Sequence, residues 1–204
     1  MDIRDFSLDY FSLRGKSAIV TGGNTGLGQA FALALAKAGA NVFIPSVTDD
    51  GGETRSLVEA EGQRAEVVFA DVTAPGVPRE MVEQCVSHFG AVDIVVNSAG
   101  ICNIASVDQF DRAQWDPMIA LNLTAPFELS FEAAKFMMAQ RSGKIINRSG
   151  RNVREQAAYG TAPSESLAEA ARVVLSSTFN SPILVPPARW KLPLGAFGKS
   201  GGPI

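Results

Sequence analysis

A chain of 204 residues with 46% apolar and 19% charged side chains has the size and make-up of one soluble globular domain. Its net charge of −3, with no basic run, argues against nucleic acid as a partner. No apolar stretch reaches the roughly 18 residues of a membrane span, and Met1-Asp2-Ile3-Arg4-Asp5 carries the wrong charges for a signal peptide, so a cytoplasmic protein is expected.

Two further counts narrow the chemistry. His88 is the only histidine, which excludes multi-histidine metal sites and argues against a Ser-His-Asp hydrolase. It sits at the end of a predicted helix, beside Phe89-Gly90, where capping or packing is expected. Cys85 and Cys102 lack metal-type spacing and read as buried thiols of a reducing compartment. No metal site is expected.

Residues 1–15 form a polar-aromatic lead-in whose Phe6, Tyr10, Phe11 and Leu13 can pack against a sheet edge. A strand follows over 17–20, then a helix over 29–38 that ends at Gly39. The second strand, 41–44, is expected to stop at Pro45. A polar loop with Gly51-Gly52 leads to a helix over 53–61, a third strand over 65–70, a helix over 79–89 and a fourth strand over 92–96. After a loop from Gly100 to Asp111, a long helical tract runs over 112–141, with a bend expected near Pro126. Gly143 ends it, and 144–147 is a fifth strand. Short apolar strands alternating with amphipathic helices imply βαβ units and a parallel sheet. Near-continuous apolar strands imply burial on both faces.

The stretch Thr21-Gly22-Gly23-Asn24-Thr25-Gly26-Leu27-Gly28 stands between the first strand and the first helix. A helix N-terminus presents unpaired N–H groups and a partial positive charge, which suits a diphosphate. Gly22 permits a sharp turn off the strand. Gly26 and Gly28, without Cβ atoms, let backbone and helix approach the diphosphate. Taken alone, the same pattern also fits an ordinary strand-to-helix turn.

The spacing Thr-Gly-x-x-x-Gly-x-Gly, with Asp71, the turn Asn97-Ser98-Ala99-Gly100 and Asn122, resembles the short-chain dehydrogenase/reductase family. Within it the chain resembles the sugar-acid and polyol dehydrogenases, such as gluconate and deoxygluconate dehydrogenases. The resemblance covers residues 10–147. It implies a three-layer α/β Rossmann-type fold with a doubly wound parallel sheet. It also implies an NAD(P)-dependent oxidoreductase that interconverts a secondary alcohol and a ketone on a small polar substrate. The cofactor-binding set it implies is Gly22, Asn24, Thr25, Gly26, Leu27, Gly28, Ser46, Asp71, Val72, Asn97, Ala99 and Gly100. Asp71 would accept a hydrogen bond from the adenine amino group. Ser46, near the end of the second strand, stands where the family chooses between cofactors. Asp49 and Asp50 come slightly later, and no Arg or Lys is close enough to neutralise a 2′-phosphate, which favours NAD over NADP. Asn122 would be the catalytic Asn that bends its helix and holds a water of a proton relay. The family tends to form homotetramers.

After Asn147 the resemblance largely fails. Tyr159, in Ala157-Ala158-Tyr159-Gly160, resembles the acid/base Tyr of the family, but Pro163 stands where its Lys belongs. Counting from Asn147, the slot of the substrate-binding Ser falls on Gly150. Ser149 is one residue early, and Tyr159 is about four residues too close. Taken as residues alone, Tyr159 reads equally as a packing or surface tyrosine. Residues 148–204 hold seven Arg/Lys against three Asp/Glu and six of the eleven prolines. One helix (164–175) and one short apolar run (183–185) are expected there, with the last dozen residues poorly ordered. Residues 1–147 are thus a dinucleotide-binding domain, and 148–204 a divergent segment of it. The family's later strands are missing or altered, with 182–185 the only sixth-strand candidate. The break fits a frame-shifted or rearranged reading frame, or a diverged tail with its own role. Three readings follow: an impaired dehydrogenase, a non-catalytic dinucleotide-binding or interaction protein, and an unstable chain whose fifth strand is an exposed edge.

Overall fold

The computed structural model describes residues 7–102 and 111–148. The expected features at 149–204, namely Ser149, Tyr159, Pro163, the helix over 164–175 and the sixth-strand candidate, lie outside the described residues, as does Phe6.

Five strands make one parallel sheet: β1 (Ser17–Val20), β2 (Asn41–Ser46), β3 (Ala65–Phe69), β4 (Ile94–Asn97) and β5 (Lys144–Asn147). Their order is β3-β2-β1-β4-β5, so the winding reverses between β1 and β4. The three central strands are almost wholly buried, whereas β3 and β5, at the edges, are only partly so. This matches the apolar runs: Ala18-Ile19-Val20 and Ile94-Val95-Val96 offer no polar face because helices cover both sides.

One face packs on α1 (Gly26–Lys37) and α2 (Glu53–Ala60), through Phe31, Leu35 and Val58. The other packs on α3 (Val77–Phe89) and α5 (Ala125–Gln140), through Met81, Val82, Leu129 and Met137. In α1 the buried residues Gly28, Phe31, Ala32, Leu35 and Ala36 fall on one stripe at helical spacing. Two cores on opposite faces of one sheet are the three layers expected.

Four local expectations change. Strand β2 does not stop at Pro45 but runs through it to Ser46. In a parallel ladder alternate residues address alternate neighbours. Val42 donates to Arg64 and Ser46 accepts from Ala70, both on the β3 side, while Pro45 turns its carbonyl to Gly22 on the β1 side. The N–H that Pro45 lacks therefore falls beyond the last β1–β2 pair, Ile19 with Phe43, and the β3 ladder is untouched. The long helical tract is broken at 120–124, around the Asn122 expected to bend it and just ahead of Pro126. There α4 (Arg112–Ile119) passes through a π-helical turn, Ala120–Thr124, into α5. Pro126 sits in the first turn of α5, where its missing N–H costs nothing. Helix α1 begins at Gly26, three residues earlier than expected.

The fourth concerns the cysteines. Cys85 is buried on α3, and burial pushes its thiol up to about 12, so it packs as an inert apolar group. Cys102 is exposed, contrary to expectation, because it follows β4 into the loop beyond the sheet. In the lead-in, Leu13 packs on the α1-side core while Tyr10 is exposed. His88, in the last turn of α3, is exposed and packs its ring near Phe43 and Phe89.

Candidate dinucleotide cleft

A cleft of about 590 Å³ opens over the carboxyl ends of the strands, at the reversal between β1 and β4. That is where a doubly wound sheet leaves a crevice, and the volume is in the range of ligand pockets.

Its floor is the glycine turn. Thr21, buried at the end of β1, accepts hydrogen bonds through Oγ1 from the backbone N–H groups of both Ser98 and Ala99, each at 3.0 Å. One hydroxyl thus locks the turn after β1 to the turn after β4. Gly22, at φ +61°, donates to Pro45 O at 2.9 Å. A Cβ on Gly28 would lie 2.1 Å from the Gly22 carbonyl oxygen. Gly28 therefore serves the close contact between helix and turn. Gly26 differs: a Cβ there would meet nothing within 4 Å, and its φ of +50° is what favours glycine. The N-cap Thr25 makes no side-chain capping bond, so the first-turn N–H groups of α1 remain available at the cleft.

Gly22, Thr25, Gly26, Leu27, Gly28, Ser46, Asp71, Val72, Ala99 and Gly100, all in the expected set, line the cleft. Asn24 and Asn97 stand behind the lining. Asn24 is buried and holds Thr48, donating from Nδ2 to Thr48 O at 2.6 Å and accepting at Oδ1 from Thr48 Oγ1 at 3.2 Å. Thr48 in turn bonds Ser46 Oγ, at 3.0 Å from its hydroxyl and 3.2 Å from its N–H. The end of β2 is thus a rigid hydroxyl cluster. Asp49 and Asp50 are turned to their own loop: Asp50 accepts from the N–H of Gly52 and of Thr54, at the start of α2. The Thr54 hydrogen bond leads in holding the Asp50 carboxyl below its usual range. Asn97 donates from Nδ2 to Asn147 Oδ1 (2.7 Å) and Ser130 Oγ (3.2 Å), joining β4, β5 and α5.

Asp71, exposed at the β3 end, accepts from the Thr73 hydroxyl (2.7 Å) and N–H (2.9 Å), both on Oδ1. The hydroxyl bond is the main cause holding its carboxyl below the ordinary range, so it remains an anionic acceptor near neutrality. On the other side, Asn122 lies in the π-helical turn and grips Ile101 twice. Its Nδ2 donates to Ile101 O at 2.8 Å, and its Oδ1 accepts from Ile101 N–H at 3.0 Å. This fixes the start of the loop after β4 beside the cleft. Residues that sequence reasoning did not single out also line it: Val47, Thr48, Ile101, Leu121 and Arg148 among them. Strand-end position was the available signal for Thr48 and Arg148, since each lies within two residues past a strand. Among the described residues no cluster of three His, Cys, Asp or Glu could hold a metal, and no helix is long and apolar enough to cross a membrane.

A parallel sheet wound both ways from a glycine turn, with a cleft over that turn, defines a Rossmann-type domain of the oxidoreductase kind. The chain belongs to the short-chain dehydrogenase family: the family's model matches residues 16–164, a span that takes in Tyr159 and Pro163. It is similar to the uncharacterized oxidoreductase YgcW of Escherichia coli K12, 60% identical over 142 residues, covering 70% of this chain and 54% of that protein. It is 40% identical over 142 residues to the 2-dehydro-3-deoxy-D-gluconate 5-dehydrogenase of the same organism, covering 69% of this chain and 55% of the relative. Among solved structures, a short-chain type dehydrogenase/reductase from Mycobacterium marinum superposes with a TM-score of 0.65 at 33% identity, over 69% of this chain and 58% of that one. The chain thus spans about half the length of the curated relatives it matches.

Proposed function

We propose that this chain binds NAD(P) in the cleft as a short-chain oxidoreductase of small polar, sugar-acid-like substrates, with its own turnover impaired. The observation that carries the reading is the free first turn of α1 beside Gly26, whose missing Cβ leaves the cleft open at the helix N-terminus. When bound, the nicotinamide supplies or takes up a hydride. The first-turn N–H groups of α1 hold the diphosphate. Asp71 accepts the adenine amino hydrogen, and the Ser46–Thr48 cluster meets the adenosine ribose. Arg148 is the only cation in the described lining and stands past the opposite edge strand, so nothing there neutralises a 2′-phosphate and NAD is favoured. Tyr159 moves the proton at the substrate oxygen, Asn122 serves the relay and Ser149 substitutes poorly for the substrate-binding serine. The deoxygluconate dehydrogenase among the relatives supports the substrate class.

The test is a fluorescence titration of the purified chain with NADH and then NADPH. Saturable NADH binding is expected, with energy transfer from the half-exposed Trp115 or from Trp190. A folded sample that binds neither would overturn the reading. Binding without any hydride transfer would select the second reading, a non-catalytic dinucleotide-binding protein. That reading is favoured by the contrast between a well-formed cleft and the departures at Ser149, Tyr159 and Pro163.

The same proposal extends to self-association through α5. Leu123, Phe127, Phe131 and Met138 are each more than half exposed and lie along one stripe, with the Phe127 and Phe131 rings stacked at 6.3 Å. Glu128 and Lys135 flank the stripe on one side and are both exposed. In an antiparallel pair about a two-fold axis near Phe131, Glu128 of each copy comes opposite Lys135 of the other, which already pairs with Glu132 of its own helix. Phe131→Asp is expected to convert the oligomer to monomer in analytical ultracentrifugation at unchanged helicity. A wild-type chain that sediments as a monomer would refute the association.

A further inference from the structure

The cleft has one charge at each end. Asp71 follows β3 and Arg148 follows β5, and these are the two outermost strands of the sheet. The glycine turn, after β1, lies between them. Arg148 stands two strands from β1, and with strands about 4.8 Å apart that is on the order of 10 Å from the turn. The Arg148 backbone is thus set away from the diphosphate position at the α1 N-terminus, toward the β5 edge of the cleft. Among the described residues the lining holds one acid, Asp71, and it follows the opposite edge strand.

Arg148 is held by its backbone, whose N–H donates to Asn97 O at 3.2 Å. Asn97 is itself fixed to Asn147 and Ser130. The residue is thus tied at the root by the network that joins β4, β5 and α5. Its side chain has no ion pair or hydrogen bond among the described residues and is exposed. An arginine fixed at the backbone, uncommitted at the head among the described residues and lining a cleft whose one described acid follows the opposite edge strand fits recognition of a planar anion.

We infer that Arg148 is a specificity-determining residue, taking the carboxylate of an acidic polyhydroxy substrate at the β5 end of the cleft. This rests on the dinucleotide reading above and adds to it the group that tells a sugar acid from a neutral polyol. The carboxylate accepts from the guanidinium nitrogens. A neutral alcohol in its place offers one oxygen where the carboxylate offers two in one plane, and gives up the ion-pair attraction.

The test uses D-gluconate and sorbitol, which differ only by carboxylate against CH₂OH at one end. Each is titrated by calorimetry into the full chain, alone and saturated with NADH, for wild type, Arg148→Gln and Arg148→Lys. Gluconate is expected to bind the NADH-loaded wild type at least tenfold more tightly than sorbitol. Arg148→Gln should erase that preference, and Arg148→Lys should keep part of it. NADH affinity and the thermal midpoint should stay within twofold and about 2 °C of wild type. A gluconate preference that survives in Arg148→Gln overturns the inference, as does a wild type that binds NADH but shows no preference. Failure of NADH itself to bind wild type would be visible separately in the same titrations and would fall on the dinucleotide reading.

Discussion

Alanine at position 28 is expected to abolish saturable NADH binding and to lower stability by about 3 kcal/mol or more. For a chain of this length that corresponds to a thermal midpoint lower by roughly 6–12 °C. The added Cβ would lie 2.1 Å from Gly22 O, 2.8 Å from Gly22 C and 3.1 Å from Gly23 Cα, all of them backbone atoms that no rotamer change can clear. Gly22 cannot retreat. Its N–H is held by Pro45 O, and on its other side the position a Cβ would take is already 3.3 Å from Ala99 Cα. Either α1 lifts off the sheet, opening the core at Phe31 and Leu35, or the turn is pushed away from Thr21 and Ala99. Both routes disassemble the diphosphate cradle. Gly26→Ala is the contrasting variant. Its Cβ meets nothing, so only the left-handed backbone is penalised, by about 1–2 kcal/mol. Gly26→Ala should therefore remain folded. A Gly28→Ala chain with wild-type midpoint and NADH affinity would show that the helix does not approach the turn this closely.

The glycine turn was legible because its signals are local: an apolar run, glycines at fixed offsets and a helical stripe. The five strands were legible for the same reason, to within one or two residues. What stayed hidden depends on partners far along the chain. Pro45 looks like a strand breaker until the neighbour that its missing N–H faces is known, and that neighbour is set by the pairing of β1 with β2. The tract 112–141 has unbroken helical periodicity, yet the π-helical turn sits where Asn122 reaches back to Ile101, a contact 21 residues distant. Asn97 reads as a cleft residue from its place at the end of β4, but its amide is taken by Asn147, 50 residues on. Cys102 reads as buried from composition, whereas its exposure follows from where β4 ends. Asp71 was read from the resemblance; the geometry adds why it stays charged, through Thr73 two residues later. Arg148 had only its place after a strand as a local sign, and its interest arises from the strand order that places it opposite Asp71.

Catalysis should fail in this chain for two independent reasons, so lysine at position 163 alone should restore none of it. A free tyrosine titrates near 10, and each unit of mismatch with the working pH is worth about 1.4 kcal/mol. Without the cation that the family places four residues after its tyrosine, a base at Tyr159 forgoes up to roughly 4 kcal/mol at pH 7, close to a thousandfold in rate. Asn122 cannot compensate, since its amide is committed at both ends to Ile101. Pro163→Lys returns the charge but leaves Gly150 in the serine slot, Ser149 one residue early and Tyr159 about four residues too close to Asn147. A reacting oxygen displaced by an ångström or more from its productive position against the proton donor loses about a hundredfold on its own. NADH formation from NAD and gluconate is therefore expected only at a trace level, the same for the wild type and for Pro163→Lys. NADH affinity should be the same for the two chains, because the diphosphate cradle is formed by the first turn of α1 at Gly26. A rise of tenfold or more in Pro163→Lys would sink the spacing argument and leave the missing lysine as the sole defect. Robust turnover by the wild type would sink both.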